Sequence, residues 1–273
     1  MSHTVRGRFA PTPSGRMHLG NLFSALIAWL SVRQQNGIML LRIEDLDRAR
    51  CKREYAEQLI KDLSLFGLDY DEGGLTGTDR FSESCVQSER SDYYHEVLSI
   101  LSKRAHIYPC FCTRAQLHDI NAPHLGDYTP VYAGTCRNLS SAEILQKQTI
   151  RNPSLRIEVP NQTIAFNDCC QGHVEENLSH SCGDFVLQRA DGIVSYQLAV
   201  VADDARMGVT EVVRGRDLLF STARQLFLYD LLDAVPPRFA HVPLLLAPDH
   251  RRLSKRDAAL SLTSLLTRFS PEE

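Results

Sequence analysis

Residues 5–43 restrict the fold more than any other stretch. A short run compatible with a buried strand, Val5–Ala10, is broken by Pro11-Thr12-Pro13-Ser14-Gly15. Leu19, Leu22, Phe23, Leu26 and Leu30 then recur at helical spacing, and Gly37 can stop that helix. Ile38–Ile43 is a continuous apolar run with one Arg, the pattern of a strand buried on both faces. Tyr55, Leu59, Ile60, Leu63 and Phe66 make a second helical stripe, closed by Gly67. Strand, Gly/Pro loop, helix, strand, helix is a βαβ unit, and two strands joined by such a crossover lie parallel. The predicted class is therefore α/β, a Rossmann-type doubly wound parallel sheet.

The 273 residues are ample for a buried core, so disulfide staples are not needed. No stretch approaches the ~20 apolar residues of a membrane span, and Met1–Arg8 has no apolar segment of the secretory type. A cytoplasmic protein without a membrane partner is expected. Thirty Lys+Arg against thirty-three Asp+Glu give a net charge of −3. That excludes a generally basic nucleic-acid binder, and DNA is not an expected partner, but a local basic face is sufficient for RNA phosphates. Tyr108–Asn138 has little periodicity and holds Cys110, Cys112 and Cys136 among Pro and Gly, as an inserted subdomain would. Ser154–Val159, Thr163–Phe166, Phe185–Gln188 and Ser195–Val201 are predicted strands, with Ala190-Asp191-Gly192 as a hairpin turn. Helical spacing returns after Gly215 through Leu226, Leu228 and Leu232, up to Pro236-Pro237. The expected division is 1–107 and 185–240 as two halves of a nucleotide-binding domain, 108–184 as the insert, and 241–273 as a terminal loop and short segment.

Three places carry chemistry. A Gly/Pro loop joining a strand to a helix leaves free backbone N–H groups at the positive end of the helix dipole, which is a phosphate site. His18 can donate to a phosphate oxygen there, and Gly20 lets a nucleotide approach the backbone. Near the other end, Arg251–Arg256 contains four basic residues in six, read either as a solvated surface or as a loop whose Lys255 neutralises a triphosphate. Cys110, Cys112 and Cys136 are one ligand short of a tetrahedral zinc site, and His106, His118, His124 or Tyr132 could complete it. Cys169, Cys170 and Cys182 read as packing residues.

Together these segments resemble one family. His18-Leu19-Gly20-Asn21 is similar to the HIGH element of class I aminoacyl-tRNA synthetases, and Arg252-Leu253-Ser254-Lys255-Arg256 to their KMSKS element. Arg8–Gly15 resembles the R-F-A-P-S-P-[ST]-G opening of glutamyl-tRNA synthetases, with Thr12 in place of a usual Ser. Arg42–Asp47 resembles their R-I-E-D-x-D segment. Gln87-Ser88-Glu89-Arg90 and Val213–Leu218 match the family as well. The resemblance implies ATP, with Mg²⁺, and L-glutamate as substrates, joined as glutamyl-adenylate without a protein nucleophile. It assigns the glutamate to Arg8, Phe9, Ala10, Pro11, Thr12, Glu44, Tyr196 and Arg214. It assigns ATP to His18, Gly20, Asn21 and Lys255, and catalysis to His18 and Lys255. Arg252 and Arg256 depart from the family's Lys and Ser.

Within the family, a shortened branch carries a Cys-x-Cys…Tyr-x-x-x-Cys zinc pattern, which this chain reproduces with nineteen residues between Cys112 and Tyr132. The resemblance thus implies one structural Zn²⁺ on Cys110, Cys112, Tyr132 and Cys136. Only seventeen residues follow Arg256, so no anticodon-binding domain is expected, and Leu46 stands where full-length members usually have Thr. The shortened branch activates glutamate without tRNA and transfers it to the queuosine base in the anticodon of tRNA(Asp). Three alternatives stay open at this point. They are ligation to a tRNA 3′ end, transfer to a non-RNA carrier, and a zinc-containing RNA-binding paralogue without catalysis.

Overall fold

The computed structural model describes residues 4–76, 83–113, 116, 131–246 and 262–272. Five parallel strands form the central sheet: β1 (Arg6–Phe9), β2 (Ile38–Leu41), β3 (Glu72–Gly73), β9 (Glu211–Gly215) and β10 (Arg238–Val242), in the order β3-β2-β1-β9-β10. β1 and β2 run in register from Arg6 opposite Ile38 to Phe9 opposite Leu41. The first two crossovers run through α1 (Leu19–Arg33) and α2 (Arg53–Leu65), as the pattern of residues 5–66 predicts.

Side chains alternate across each strand, so the sheet has two buried faces. Met39, Val213 and Val242 pack with Ala28 and Val32 of α1, whereas Leu40, Val212 and Phe239 belong to the core on the opposite side. The α1 face differs from the predicted leucine stripe. Leu26 and Leu30 are exposed, and the buried positions are Leu22, Ala25, Ala28 and Val32. Gly7 is the reason. A Cβ there would stand 2.3 Å from Val32 Cγ2, so the bare strand admits the small-residue face of the helix at close range. That approach leaves Arg8, one residue on, pointing to the opposite face.

The middle of the chain makes α3 (Ser91–Leu101), β4 (Ile107–Cys110), α4 (Ser141–Gln148), β5 (Ser154–Ile157), β6 (Thr163–Asp168), β7 (Gly172–Asn177), α5 (Leu178–Ser181) and β8 (Phe185–Gln188). β4, β5 and β8 form an antiparallel sheet, and β6 and β7 pair as a hairpin. α6 (Tyr196–Arg206), α7 (Ser221–Leu231) and α8 (Leu262–Leu265) complete the described helices.

One predicted element changes type. Ser195–Val201 is not a strand. Ser195 caps α6, its Oγ accepting from the Leu198 amide, and only a single bridge from Gln188 to Val194 follows the turn at 190–192. Leu198, Ala199, Val200 and Val201 are all buried, and a helix turn covered on every side shows no periodicity to distinguish it from a buried strand. The helix sets Tyr196 at its start and Asp203 and Asp204 seven and eight residues on, two turns along the same face.

Candidate active site

In an open parallel sheet, the loops after adjacent strands diverge where the strand order reverses, leaving a crevice at the strand ends. That place lies between β1 and β9. It holds a cleft of about 380 Å³. Arg8, Phe9, Ala10, Pro11, Thr12, His18, Gly20, Asn21, Glu44, Tyr196 and Arg214 all line it. The predicted Lys255, with Arg252 and Arg256, lies outside the described residues, as do His118 and His124. Both flanks of the segment that holds Lys255 border the cleft region. Leu244 and Leu245 line the cleft, and the Leu262 amide donates to the Met17 carbonyl at 3.4 Å.

His18 is the N-cap of α1, and its amide donates to Asn21 Oδ1 at 3.2 Å. A Cβ on Gly20 would lie 3.0 Å from His18 Cε1, so the glycine is what lets the imidazole lie over the first turn. An imidazole donor and the positive end of α1 therefore face the same part of the cleft.

A buried ionic frame stands behind Arg8 and Glu44. Arg42 is fully buried; its Nη1 donates to Asp204 Oδ1 at 2.5 Å and its Nη2 to Glu44 Oε1 at 3.0 Å. Asp203 accepts from Arg90 Nε (2.8 Å), Gln87 Nε2 (2.8 Å) and the Tyr94 hydroxyl (2.9 Å). Asp45 accepts from the Ser88 amide and hydroxyl at 2.8 and 2.7 Å. The frame ties the Arg42–Asp47 and Gln87–Arg90 motifs to α6 and so sets the Glu44 carboxyl at the cleft. Burial pushes Glu44 up, and the Arg42 and Arg8 charges pull against it. Sequence reasoning missed Asp203 and Asp204; two acids straight after a fully apolar run were the available signal.

Arg8 is 5% exposed. Among the described residues its Nε has no hydrogen-bond partner, and its ion pair with Asp204 is loose at 3.6 Å. Arg214 is bound more fully. Its Nε donates to His241 Nε2 at 2.8 Å, its Nη2 to Thr222 Oγ1 at 2.9 Å and its Nη1 to the Tyr196 hydroxyl at 3.4 Å. Burial and the nearby Arg8 charge lower its proton affinity, against the pull of Tyr196 and Asp204. Two buried guanidiniums and one carboxylate around one cleft match a small dianion that carries an ammonium group.

His241 was not foreseen from the sequence. Its Nδ1 lies 2.6 Å from Asp168 Oδ2 at the end of β6. Burial and the Arg214 charge lower the imidazole to about 4, against the pull of Asp168. An unfolded histidine titrates near about 6.5, so between these values the unfolded chain binds more protons than the folded one. This contribution to stability is complete above about pH 6.5 and is lost as the pH falls to about 4, amounting to about 3 kcal/mol. Urea denaturation at about pH 7 and about pH 4.5 is expected to show a larger loss for the wild type than for His241→Gln.

The three predicted zinc thiols also converge. Their sulfur atoms lie within 4.8 Å of one another, with Cys112 and Cys136 at 3.7 Å. Sulfurs held at about 2.3 Å by tetrahedral zinc stand roughly 3.8 Å apart, so the donor set fits the ion. The Tyr132 hydroxyl is 3.4 Å from Cys110 Sγ and accepts from the Cys136 amide at 2.9 Å. Arg156 lies over the Tyr132 ring at 3.9 Å. His106, another predicted candidate, instead meets Glu158 at 2.9 Å. Burial and the neighbouring Cys110 push the Cys112 thiol up to about 12, so a cation is what would let the three sulfurs ionise together.

Comparison with known proteins agrees with this architecture. Residues 4–268 match the family model of class I tRNA synthetases (E and Q), catalytic domain. A glutamyl-Q tRNA(Asp) synthetase of Symbiobacterium thermophilum is 50% identical over 262 residues, covering 95% of this chain and 80% of that protein. One from Nitratidesulfovibrio vulgaris is 47% identical over 263 residues, covering 96% of this chain and 81% of that protein. The crystal structure of a glutamate tRNA ligase from Elizabethkingia meningosepticum, in complex with its amino acid, superposes with a TM-score of 0.80 at 31% identity. It aligns with 94% of this chain, which spans 53% of that longer one. The parallel sheet, the cleft at its switch point and these matches together place the chain in the class I tRNA synthetase family of the E and Q type, with residues 4–268 as the catalytic domain.

Proposed function

We propose that this chain is a glutamyl-Q tRNA(Asp) synthetase, which activates L-glutamate with ATP and transfers it to the queuosine base in the anticodon of tRNA(Asp), in the cytoplasm. The observation that carries the first half is Arg8, a buried guanidinium with a loose ion pair, in one cleft with Arg214, Glu44 and His18. Arg8 and Arg214 take the two carboxylates, Glu44 takes the ammonium, and Tyr196 supports the side-chain end. An oxygen of the α-carboxylate attacks the α-phosphorus of ATP, the bond to the bridging oxygen breaks, and pyrophosphate leaves. His18 and the start of α1 stabilise phosphate charge, and Lys255 takes the leaving pyrophosphate. Mg²⁺ bound with ATP lowers the charge of the triphosphate. A hydroxyl of the modified base's cyclopentene ring then attacks the activated carbonyl, loses its proton and releases AMP. The names of the relatives support that acceptor.

Pyrophosphate exchange with ATP and glutamate, in the absence of tRNA, tests the activation step. Exchange is expected; none under any condition rejects the enzymatic reading. Exchange that requires tRNA, or equal labelling of queuosine-containing and queuosine-free tRNA(Asp), assigns the chain to 3′-end ligation instead.

Cys110, Cys112 and Cys136, with Tyr132, are the proposed holders of one structural Zn²⁺. A Cys136→Ala variant is expected to lose the metal in elemental analysis and to show a less stable β4–β5–β8 region by hydrogen exchange. Full zinc retention would remove Cys136 from the site.

A further inference from the structure

Arg214 reaches the cleft through a chain of contacts that crosses three elements. Asp168 ends β6, His241 lies in β10 and Arg214 in β9. The Asp168 side chain is buried and His241 is 0% exposed. Each contact in the chain has only one chemical reading. A guanidinium has donors and no acceptor, so Arg214 Nε–H donates at 2.8 Å and His241 Nε2 must accept. The ring proton therefore sits on Nδ1, and at 2.6 Å it is donated to Asp168 Oδ2, an ionised carboxylate that only accepts. The other carboxylate oxygen is occupied as well. Oδ1 accepts from the backbone amides of Cys170 (3.0 Å), Gln171 (2.9 Å) and His241 (3.1 Å). The main chain thus fixes the carboxylate, the carboxylate fixes the imidazole tautomer, and the imidazole fixes the guanidinium plane.

Thr222 holds the other edge, accepting from Arg214 Nη2 at 2.9 Å and lying 3.3 Å from His241 Nε2. Nη1, which meets Tyr196, is the nitrogen left for a ligand in the cleft. We infer that His241, oriented by Asp168, is a positioning residue that holds Arg214 in the geometry for a substrate carboxylate and so sets selection of the dicarboxylic amino acid. The inference rests on the proposed glutamate activation only for the identity of that substrate.

Asp168→Asn separates this role from simple packing. Three backbone amides keep the amide oxygen at the Oδ1 place, so the NH₂ group must face His241 Nδ1. Nδ1 then accepts, the proton moves to Nε2, and Nε2–H points at Arg214 Nε–H. The same logic, a wrong tautomer in an otherwise intact site, is a known consequence of an Asp→Asn change beside a catalytic histidine. Pyrophosphate exchange is expected to show the glutamate KM raised about tenfold or more, with the ATP KM within about twofold. His241→Gln, which offers an amide oxygen to Arg214, is expected to retain more glutamate affinity than His241→Leu. A purely structural role would lower both variants and both substrates alike. An unchanged glutamate KM in Asp168→Asn would overturn the assignment.

Long-range proton–nitrogen NMR of the wild-type chain gives a readout independent of turnover. A protonated Nδ1 and an unprotonated Nε2 on His241 are expected; the reverse tautomer, or a doubly protonated ring at neutral pH, would also overturn it. Absence of glutamate exchange in the wild type would reject the functional reading, and the NMR result would then decide the His241 assignment alone.

Discussion

Arg8→Met is expected to raise the glutamate KM by about 10²–10³-fold while leaving the fold close to that of the wild type. Truncating one partner of a buried charge pair at a binding site costs about 2–5 kcal/mol, because the other charge is left without compensation. In this case the orphaned charge would be a substrate carboxylate, so the cost falls on binding. Folding is spared for a local reason. Asp204, the ion-pair partner of Arg8 at 3.6 Å, also receives Arg42 Nη1 at 2.5 Å and keeps that bond in the variant. Methionine fills much of the arginine stem's volume on the α6 side of β1. Steady-state pyrophosphate exchange at varied glutamate and ATP reads the effect. A glutamate KM within about threefold of wild type would remove Arg8 from the site.

Asp203→Ala is expected to act first on the fold, with a loss of about 3–5 kcal/mol of stability measured by urea denaturation. Asp203 is fully buried and is the common acceptor for Arg90, Gln87 and Tyr94, with Arg42 at 3.6 Å. Its removal leaves Arg90 and Arg42 short of negative charge in a place water does not reach. Glu83 and Asp204 still face those arginines, at 2.9 and 2.5 Å, which keeps the loss from exceeding this range. Glutamate binding is expected to fall as well, because Arg42 holds Glu44. A destabilisation below about 1 kcal/mol would show that the frame is not a supporting element.

Much of the candidate cleft lining was legible because its residues lie in contiguous motifs that leave a local trace. A strand, a Gly/Pro loop and a helix start are contiguous in residues 5–33, and they place Arg8, Thr12, His18 and Gly20 without any long-range contact. The Cys-x-Cys spacing in the insert is local in the same way. Ser195–Val201, the first part of the helix at Tyr196–Arg206, reads as a strand because complete burial erases periodicity, so the two acids that face Arg8 and Arg42 carry no signal of their place. The buried face of α1 was misassigned because the choice between its leucines and alanines depends on Gly7, a residue of another element.

By itself, the amino-acid sequence determined the βαβ order, the Gly/Pro loop between the first strand and helix, and the three thiols, while Arg8, Glu44 and Arg214 were singled out only by the family resemblance. The first three rest on residue type and short spacing, which is where hydrogen-bond geometry and helix dipoles act. Only the tertiary structure decided which charges compensate which. Arg42 meets Asp204 across 162 positions, and Asp168 meets His241 across 73. Such pairs leave no periodic signal. Their partners are chosen by burial, which makes an uncompensated charge costly and so forces pairing between whatever residues the packed sheet and helices bring together.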